Sequence, residues 1–226
     1  MRAPVSVIIP TLQAEAALAG CLAALMEGLE AGLIREVIVS DGGSQDATHR
    51  IADGAGAIWC AGPPSRGGQI RRGCAAAGGD WFLILHADTR LAPGWSGAVA
   101  AAMTRPETAG YFRLRFDEGG LAAWIVAGWA NLRARVFGLP YGDQGLLIAR
   151  GLYEAAGGYP DMPLMEDVAL ARRLRGRLRA MDAVAITSAE KYRKQGWLRR
   201  GARNLWTLAR YFAGVAPERL AASYRR

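Results

Sequence analysis

The stretch from Glu36 to Asp46 reads EVIVSDGGSQD and indicates the fold class. A β-branched run typical of a buried strand ends in an aspartate, and two glycines follow it. The chain begins in the same way, because the apolar run Val5–Pro10 leads into the polar Thr11. Strands that are apolar throughout and polar only at their ends are typical of a parallel sheet covered on both faces.

Strands and helices alternate on either side of this stretch. The predicted strands are Val5–Pro10, Glu36–Ser40, Ala57–Ala61 and Trp81–Leu85. The predicted helices between them are Ala14–Glu30 (with Leu18, Leu22, Leu25 and Leu29 on one face), Asp46–Gly54 and Gln69–Ala77. This alternation predicts an α/β fold with a mostly parallel central sheet and right-handed crossovers. Ligands of such sheets bind beyond the carboxyl ends of the strands.

The second half of the chain is less regular. Its predicted strands are Gly110–Phe116, Gly145–Ala149 and Met181–Thr187. Its predicted helices are Leu121–Phe137, one that starts near Glu166, and Trp197–Phe212. In the first of these helices we expect one face to lie against an apolar neighbour, namely Trp124, Ile125, Gly128, Trp129 and Leu132.

The composition is that of a folded protein with a full core. The chain has 226 residues, of which 51% are hydrophobic, and this excludes intrinsic disorder and a small disulfide scaffold. Cys21, Cys60 and Cys74 are widely spaced, so we expect reduced core thiols. No window reaches the roughly 18 apolar residues that span a bilayer. The first apolar run is too short for a signal sequence, so a cytoplasmic protein is expected.

Positive charge is concentrated at the end of the chain. Residues 1–171 carry 13 basic and 17 acidic residues, whereas residues 172–226 carry 15 basic and 3 acidic ones. We expect a domain over residues 1–190 and a basic, amphipathic helical tail over residues 191–226. Such a tail suits an anionic membrane surface, with Trp197, Trp206 and Phe212 near the headgroups. The alternative is a helix packed on the domain with solvated arginines.

Polar residues follow the predicted strands at the edge where a ligand site is expected. Thr11 and Gln13 follow the first strand, and Asp41 follows the second. An aspartate there can accept hydrogen bonds from a base or a ribose, although a tight turn also explains it. His86 and Asp88 follow the fourth strand, two residues apart on extended backbone. A divalent cation bridging Asp88 to a diphosphate is the natural use of that pair, and the alternative for His86 is a structural histidine.

Two further segments carry charge next to glycines. Ser65-Arg66-Gly67-Gly68-Gln69 precedes a helix, where an arginine and exposed N–H groups suit a phosphate. The alternative is a surface turn with a solvated arginine. Glu166 and Asp167 begin another helix, where one acid could act as a general base or both could stabilise the helix dipole.

Taken together, these segments resemble the family 2 glycosyltransferases, which are inverting enzymes of the Rossmann-like GT-A fold that use nucleotide-diphosphate sugars. The matching pieces are Ser6–Leu12, Asp41–Thr48, His86–Thr89 and Glu166–Asp167, in the family's order. The resemblance covers residues 4 to about 175. It is strongest to a compact bacterial branch with His-Ala-Asp-Thr at the metal motif and a Tyr-Gly-Asp-Gln element, here Tyr141–Gln144.

The resemblance implies a role for each site residue. Thr11, Gln13 and Glu15 line the nucleoside pocket, Asp41 reads the base, and Arg66 and Gln69 bind the donor. Asp88 holds Mg2+ or Mn2+, with His86 standing where the family has its first acid. Asp167 is the general base, and Asp143, Gln144 and Glu166 contact the acceptor or the sugar. The implied partners are a nucleotide-sugar donor, in the first instance a UDP-sugar, and a hydroxyl acceptor that the basic tail suggests is lipid-linked.

Competing functions predict features that the sequence tests. A nucleotidyltransferase needs a glycine-rich loop after the first strand, and Pro10–Ala14 contains no glycine. A catalytically silent nucleotide-binding relative is disfavoured by intact acids at Asp41, Asp88 and Asp167. Nucleic-acid binding is not expected, because the chain lacks an aromatic and basic sheet motif. The Gln-x-x-Arg-Trp signature of processive family members is also absent, so polymer synthesis is not expected.

Overall fold

A computed structural model describes residues 3–224, and within this range eight strands form one sheet in the order β3-β2-β1-β4-β7-β6-β8-β5. The strands are β1 Val5–Thr11, β2 Ile34–Asp41, β3 Ile58–Ala61, β4 Trp81–Ile84, β5 Thr89–Leu91, β6 Ala109–Phe116, β7 Leu146–Ala149 and β8 Leu178–Thr187. The helices are α1 Glu15–Ala24, α2 Met26–Glu30, α3 Thr48–Gly54, α4 Arg66–Ala76, α5 Trp95–Ala102, α6 Leu121–Phe137, α7 Arg150–Ala155, α8 Glu166–Arg173, α9 Glu190–Gln195, α10 Trp197–Phe212 and α11 Pro217–Tyr224. A single 3₁₀ turn covers Gly142–Gln144.

The first four strands of this order are parallel, as the sequence predicts. β1 pairs with β2 on one side and with β4 on the other, and β2 pairs with β3. Thr11 at the end of β1 is in register with Asp41 at the end of β2. The polar residues after β1, β2 and β4 therefore lie along one edge of the sheet.

The second half of the sheet is mixed. β7 runs antiparallel to β4 and β6, whereas β6 and β8 are parallel to each other and β5 is antiparallel to β8. The short strand β5 and helix α5 are not predicted from the sequence. The predicted helix Ala14–Glu30 is two helices that meet at Leu25, and Leu29 is consequently exposed. The chain turns there so that Gly28 packs against Trp95, where a Cβ atom would collide with the indole.

Helix α6 has the predicted bounds, but the face that is buried is opposite to the face predicted to be buried. It packs on β6 through small residues, and its buried side includes Ala123, Ala127, Ala130 and Ala134. The face expected to meet an apolar neighbour is exposed instead, and Trp124 is 74% accessible. Alanines let the helix lie close to Leu114 and Phe116 of the strand, and this close approach turns the large side chains outward.

The C-terminal helices α9, α10 and α11 pack on the domain next to β6, α6 and α8. Trp197 was predicted to lie near lipid headgroups. Its ring instead stacks on Tyr192 and meets the ring of Phe116 edge-on, so it packs against other side chains of the protein. Leu220 and Ala221 of α11 pack with Val168. Trp206 and Phe212 of α10 are exposed. Among the residues described, no helix is both long and apolar enough to cross a membrane.

Candidate active site

The ends of β1 and β2 are joined through the carboxylate of Asp41. Thr11 Oγ1 donates to Asp41 Oδ1 over 2.8 Å, and the backbone N–H groups of Gly43 and Ser44 donate to Oδ2 over 2.7 and 2.6 Å. Burial raises the pKa of Asp41, but the hydrogen bonds from Ser44, Thr11 and Gly43 outweigh it and the net shift is downward. The carboxylate therefore holds the loop, and Gly43 supplies the positive φ that the turn requires.

The other predicted nucleotide-binding residues belong to the same network. Gln13 Oε1 accepts from Gln45 N, and Glu15 Oε2 accepts from Ala47 N. Both of these side chains lie in the exposed part of the loop. Gln69 is buried beneath it and donates through Nε2 to the carbonyls of Thr11 and Ser40. Gln69 thus braces the two strand ends, and the ligand-binding roles of the group stay predictions.

An open cleft encloses about 820 Å³, including space that is open to solvent. The structure does not bring every predicted site residue into it, because its lining does not include Thr11, Gln13, Glu15, Asp41 or Gln69. One wall carries five of the predicted site residues: Arg66, His86, Asp88, Asp143 and Asp167. The facing wall comes from the C-terminal helices and carries Lys191, Tyr192, Arg200, Asn204 and Tyr224. Sequence reasoning missed the second wall because it treated residues 191–226 as a tail. The one available signal was that Lys191 and Lys194 are the only lysines in an arginine-rich chain.

Asp88 and His86 are the protein groups that could hold a metal ion. Asp88 Oδ2 accepts a hydrogen bond from Lys191 Nζ over 3.1 Å. Burial, together with the charge of Arg66, lowers the pKa of His86 to about 4, so its imidazole is neutral and able to ligate. Within residues 3–224, no three His, Cys, Asp or Glu side chains are grouped closely enough to form a metal site. The carboxylate of Asp88 fits Mg2+ or Mn2+ whose other ligands are phosphate and water oxygens, whereas the imidazole of His86 is a softer ligand than these ions prefer.

The glycines after Arg66 serve packing, so the predicted site of free N–H groups is wrong. Gly67 N donates to Met162 O over 3.1 Å, and Gly68 N donates to Ser65 Oγ over 3.3 Å. A Cβ atom at Gly67 would collide with the carbonyl oxygen of Pro160. The Arg66 side chain itself does line the cleft. Desolvation lowers the pKa of Arg66, but Glu166 and Asp167 outweigh it and the net shift is upward.

The adjacent acids at the start of α8 lie in different environments. Asp167 reaches the cleft, and its carboxylate accepts from Gly142 N over 2.8 Å and from Val168 N over 2.7 Å. Glu166 is buried and lines a smaller inner cavity, and its Oε2 has no hydrogen-bond partner among the described residues. Burial and then the charge of Asp167 raise the pKa of Glu166 to about 7. Of these two adjacent acids, Asp167 is therefore the one that lines the cleft.

In the turn at residues 141–144, Tyr141 and Asp143 line the cleft and Gln144 lies in the core. Asp143 lines the cleft, and burial raises its pKa to about 6 against the opposing charge of Arg133. Gln144 is fully buried and donates to the carbonyl of Phe112, so its side chain holds the turn and does not line the cleft. The Arg133 guanidinium lies 3.4 Å from the centre of the Tyr141 ring and fixes the turn from the other side.

The fold and the cleft define an α/β protein of the GT-A type, with acids at the carboxyl edge of a mostly parallel sheet. The sequence model described as "Glycosyl transferase family 2" matches residues 6–146, which is more than half of the chain. The chain therefore belongs to the family 2 glycosyltransferases. No curated protein sequence gives a significant match.

Solved structures share the fold. One is S. aureus TarS 1-349 in complex with UDP-GlcNAc, with a TM-score of 0.59 and 15% identity over 82% of this chain and 58% of that one. Another is glucosyl-3-phosphoglycerate synthase from Mycobacterium tuberculosis in complex with Mn2+ and UDP-glucose, with a TM-score of 0.56 and 21% identity over 82% of this chain and 69% of that one. In three structures of TarS, the present chain covers 38%, 58% and 62% of the TarS chain.

Proposed function

We propose that this protein transfers a sugar from a nucleotide-diphosphate sugar, in the first instance a UDP-sugar, to a hydroxyl group with inversion at C1. The observation that carries the proposal is the meeting of Arg66, Asp88 and Asp167 in one cleft. Family membership supports the reaction type. The TarS and glucosyl-3-phosphoglycerate synthase complexes with UDP-sugars support the class of donor.

Inversion requires one carboxylate on the acceptor side of the sugar. In the proposed reaction, the acceptor oxygen attacks C1 from the face opposite the diphosphate, and the bond from C1 to the phosphate oxygen breaks as the new bond forms. Asp167 takes the hydroxyl proton, and its two backbone hydrogen bonds orient the carboxylate for that transfer. Arg66 stabilises the negative charge that grows on the departing diphosphate.

Asp88 and the neutral His86 would hold Mg2+ or Mn2+ at the diphosphate, where the ion would neutralise charge on the leaving group. The presence of Mn2+ in glucosyl-3-phosphoglycerate synthase supports this assignment. In the same scheme Thr11, Gln13, Glu15 and Asp41 bind the nucleoside, with Gln69 bracing their loop. Asp143 contacts the sugar or the acceptor from the cleft. Glu166, which was predicted to do the same, is buried and does not line the cleft, so it has no substrate contact in this scheme.

The acceptor in this proposal is carried on a lipid, and the enzyme works in the cytoplasm at the inner face of the cell membrane. The supporting feature is the basic segment 191–226, part of which forms a wall of the cleft. A segment that both bounds the site and carries positive charge would bring a membrane-borne hydroxyl close to Asp167. We therefore treat residues 1–190 as the transferase domain and residues 191–226 as its membrane-directed extension.

A thermal-shift panel tests the donor assignment. The protein is heated with UDP, GDP, CDP or dTDP, each with and without Mn2+. One nucleotide, expected to be UDP, should raise the midpoint in a metal-dependent way, because a ligand at a hundred times its dissociation constant adds about 2.7 kcal/mol. Asp88→Asn should lose the metal dependence and keep the fold. The absence of a shift with every nucleotide would count against the proposal, and so would a product that keeps the donor's anomeric configuration by NMR.

A further inference from the structure

Helix α6 has large apolar side chains on its outer face and small ones on its inner face. Leu121, Trp124, Ile125, Leu132, Val136 and Phe137 are each more than half exposed. Water-facing helices of globular proteins normally show the reverse arrangement, with polar residues outside. A contiguous apolar surface of this kind marks an interaction site.

Helix α10 extends that surface. Its inner face lines the cleft through Arg200, Asn204 and Thr207, and its outer face exposes Leu198 and Trp206 among other apolar residues. The two helices touch each other, and Trp197 at the start of α10 packs on the cluster around Phe116 to which α6 contributes Ala123 and Ala127. The outer faces of the two helices are therefore neighbours.

The charge on these two helices identifies the occupant. Together α6 and α10 contain six arginines and no acidic residue, and four of the arginines remain when the buried Arg133 and the cleft residue Arg200 are set aside. Arg135 and Arg199 are exposed beside the apolar side chains. A second copy of the chain would place arginines against arginines across a symmetric interface. An anionic lipid surface accepts both features, because apolar side chains enter the acyl boundary while arginines meet the phosphates.

We infer that the outer faces of α6 and α10 form one docking surface for an anionic lipid bilayer, with α6 as its main apolar element. The inference rests on the proposed membrane-directed function and deepens it, because α6 lies outside the basic segment. Helix α10 then separates the bilayer from the cleft by the thickness of one helix. A hydroxyl carried on a lipid at the bilayer surface reaches the cleft past that helix.

Vesicle flotation tests the surface. The purified protein is floated with vesicles of phosphatidylcholine, with and without phosphatidylglycerol, at low and high salt. The test variant is Ile125→Asp with Leu132→Asp. The matched control is Met26→Asp with Leu29→Asp on α2, because Met26 and Leu29 are exposed to nearly the same extent. We expect the wild type and the control to float with anionic vesicles, and the α6 variant to lose about tenfold or more in partition.

A depth measurement and an activity measurement separate the outcomes. Vesicles that contain brominated lipid should quench the tryptophan fluorescence of the wild type, and they should quench the fluorescence of the Trp124→Phe variant less. An α6 variant that floats like the wild type would overturn the inference. A wild type that does not float with anionic vesicles would overturn it as well, whether or not it forms a dimer that the variant abolishes. Release of UDP from a UDP-sugar, measured without vesicles, should be equal in wild type and variant. If the wild type floats with vesicles but releases no UDP from any UDP-sugar, the proposed reaction is contradicted and the inference of a docking surface is still supported.

Discussion

Lys191 Nζ lies 3.1 Å from Asp88 Oδ2, so the carboxylate predicted to hold a metal ion already pairs with a cation of the chain. Burial raises the pKa of Asp88, but the charges of Lys191 and His86 outweigh it and the net shift is downward. Lys191 belongs to α9, on the opposite wall of the cleft. If Asp88 holds the metal ion through Oδ2, as the proposed function requires, the ion and the ammonium compete for one oxygen, and metal binding would then depend on the position of α9.

Replacement of Lys191 measures this competition. Lys191→Gln should strengthen Mn2+ binding to the enzyme with UDP by about two- to fivefold, because partly exposed ion pairs contribute about 0.2–1 kcal/mol. Isothermal titration calorimetry gives the affinity. Lys194→Gln is the matched control, since Lys194 pairs with Glu190 and does not line the cleft. If Lys191→Gln instead weakens UDP binding without metal, the lysine contacts the diphosphate and does not compete with the ion.

Asp167→Asn tests the general base. The amide keeps an oxygen that can accept from Gly142 N but cannot take a proton, so we expect kcat to fall by about 10²- to 10⁴-fold with UDP affinity unchanged. Steady-state kinetics and nucleotide titration separate the two effects. Asp182→Asn, at an exposed acid on β8, should retain full activity. Substantial turnover by Asp167→Asn would remove the base assignment.

Glu166 should make the stability of the protein depend on pH. Burial raises the pKa of Glu166 to about 7 in the folded state, whereas an unperturbed glutamate has a pKa of 4.5. Between these values the folded state binds more protons than the unfolded chain, so this group lowers stability as pH rises. Glu166→Gln should therefore unfold like the wild type near pH 4.5 and be more stable by on the order of 1–3 kcal/mol near pH 8.

Urea unfolding of both proteins at several pH values gives this difference directly. The exposed Glu30→Gln serves as the control and should leave the pH dependence unchanged. A constant difference between Glu166→Gln and the wild type across the pH range would show that Glu166 does not hold its proton in the folded state.

Gly142→Ala should disturb the site through His86. A Cβ atom at residue 142 would collide with Nε2 of the His86 ring, so the ring or the turn must move. We expect a loss of about 1–3 kcal/mol in unfolding free energy and weaker Mn2+ binding. Gly97→Ala in α5 meets open space and should be neutral or stabilising by about 0.5–1 kcal/mol. Equal stability and metal affinity in Gly142→Ala would show that the ring has room to move.

The first half of the fold was predictable because its signals are local. Apolar strands that end at Thr11, Asp41 and His86 specify a parallel sheet and the edge where its site lies. The facing wall was not predictable, because the meeting of Lys191 with Asp88 spans 103 residues of chain and depends on how α9 packs. Periodicity identified the faces of α6 but could not show which face would be covered. Composition likewise could not show that Gln144 would turn inward to Phe112.

The two walls of the cleft come from separate stretches of the chain, so one wall can change in sequence among related proteins while the other is kept. The match to the family ends at residue 146, whereas Lys191, Arg200 and Tyr224 lie well beyond it. In the proposed reaction, substitutions in the later stretch would alter the choice of acceptor while the Thr11–Asp41 network stays intact. We therefore expect chimeras that exchange residues 187–224 between family members to keep one donor and glycosylate new acceptors.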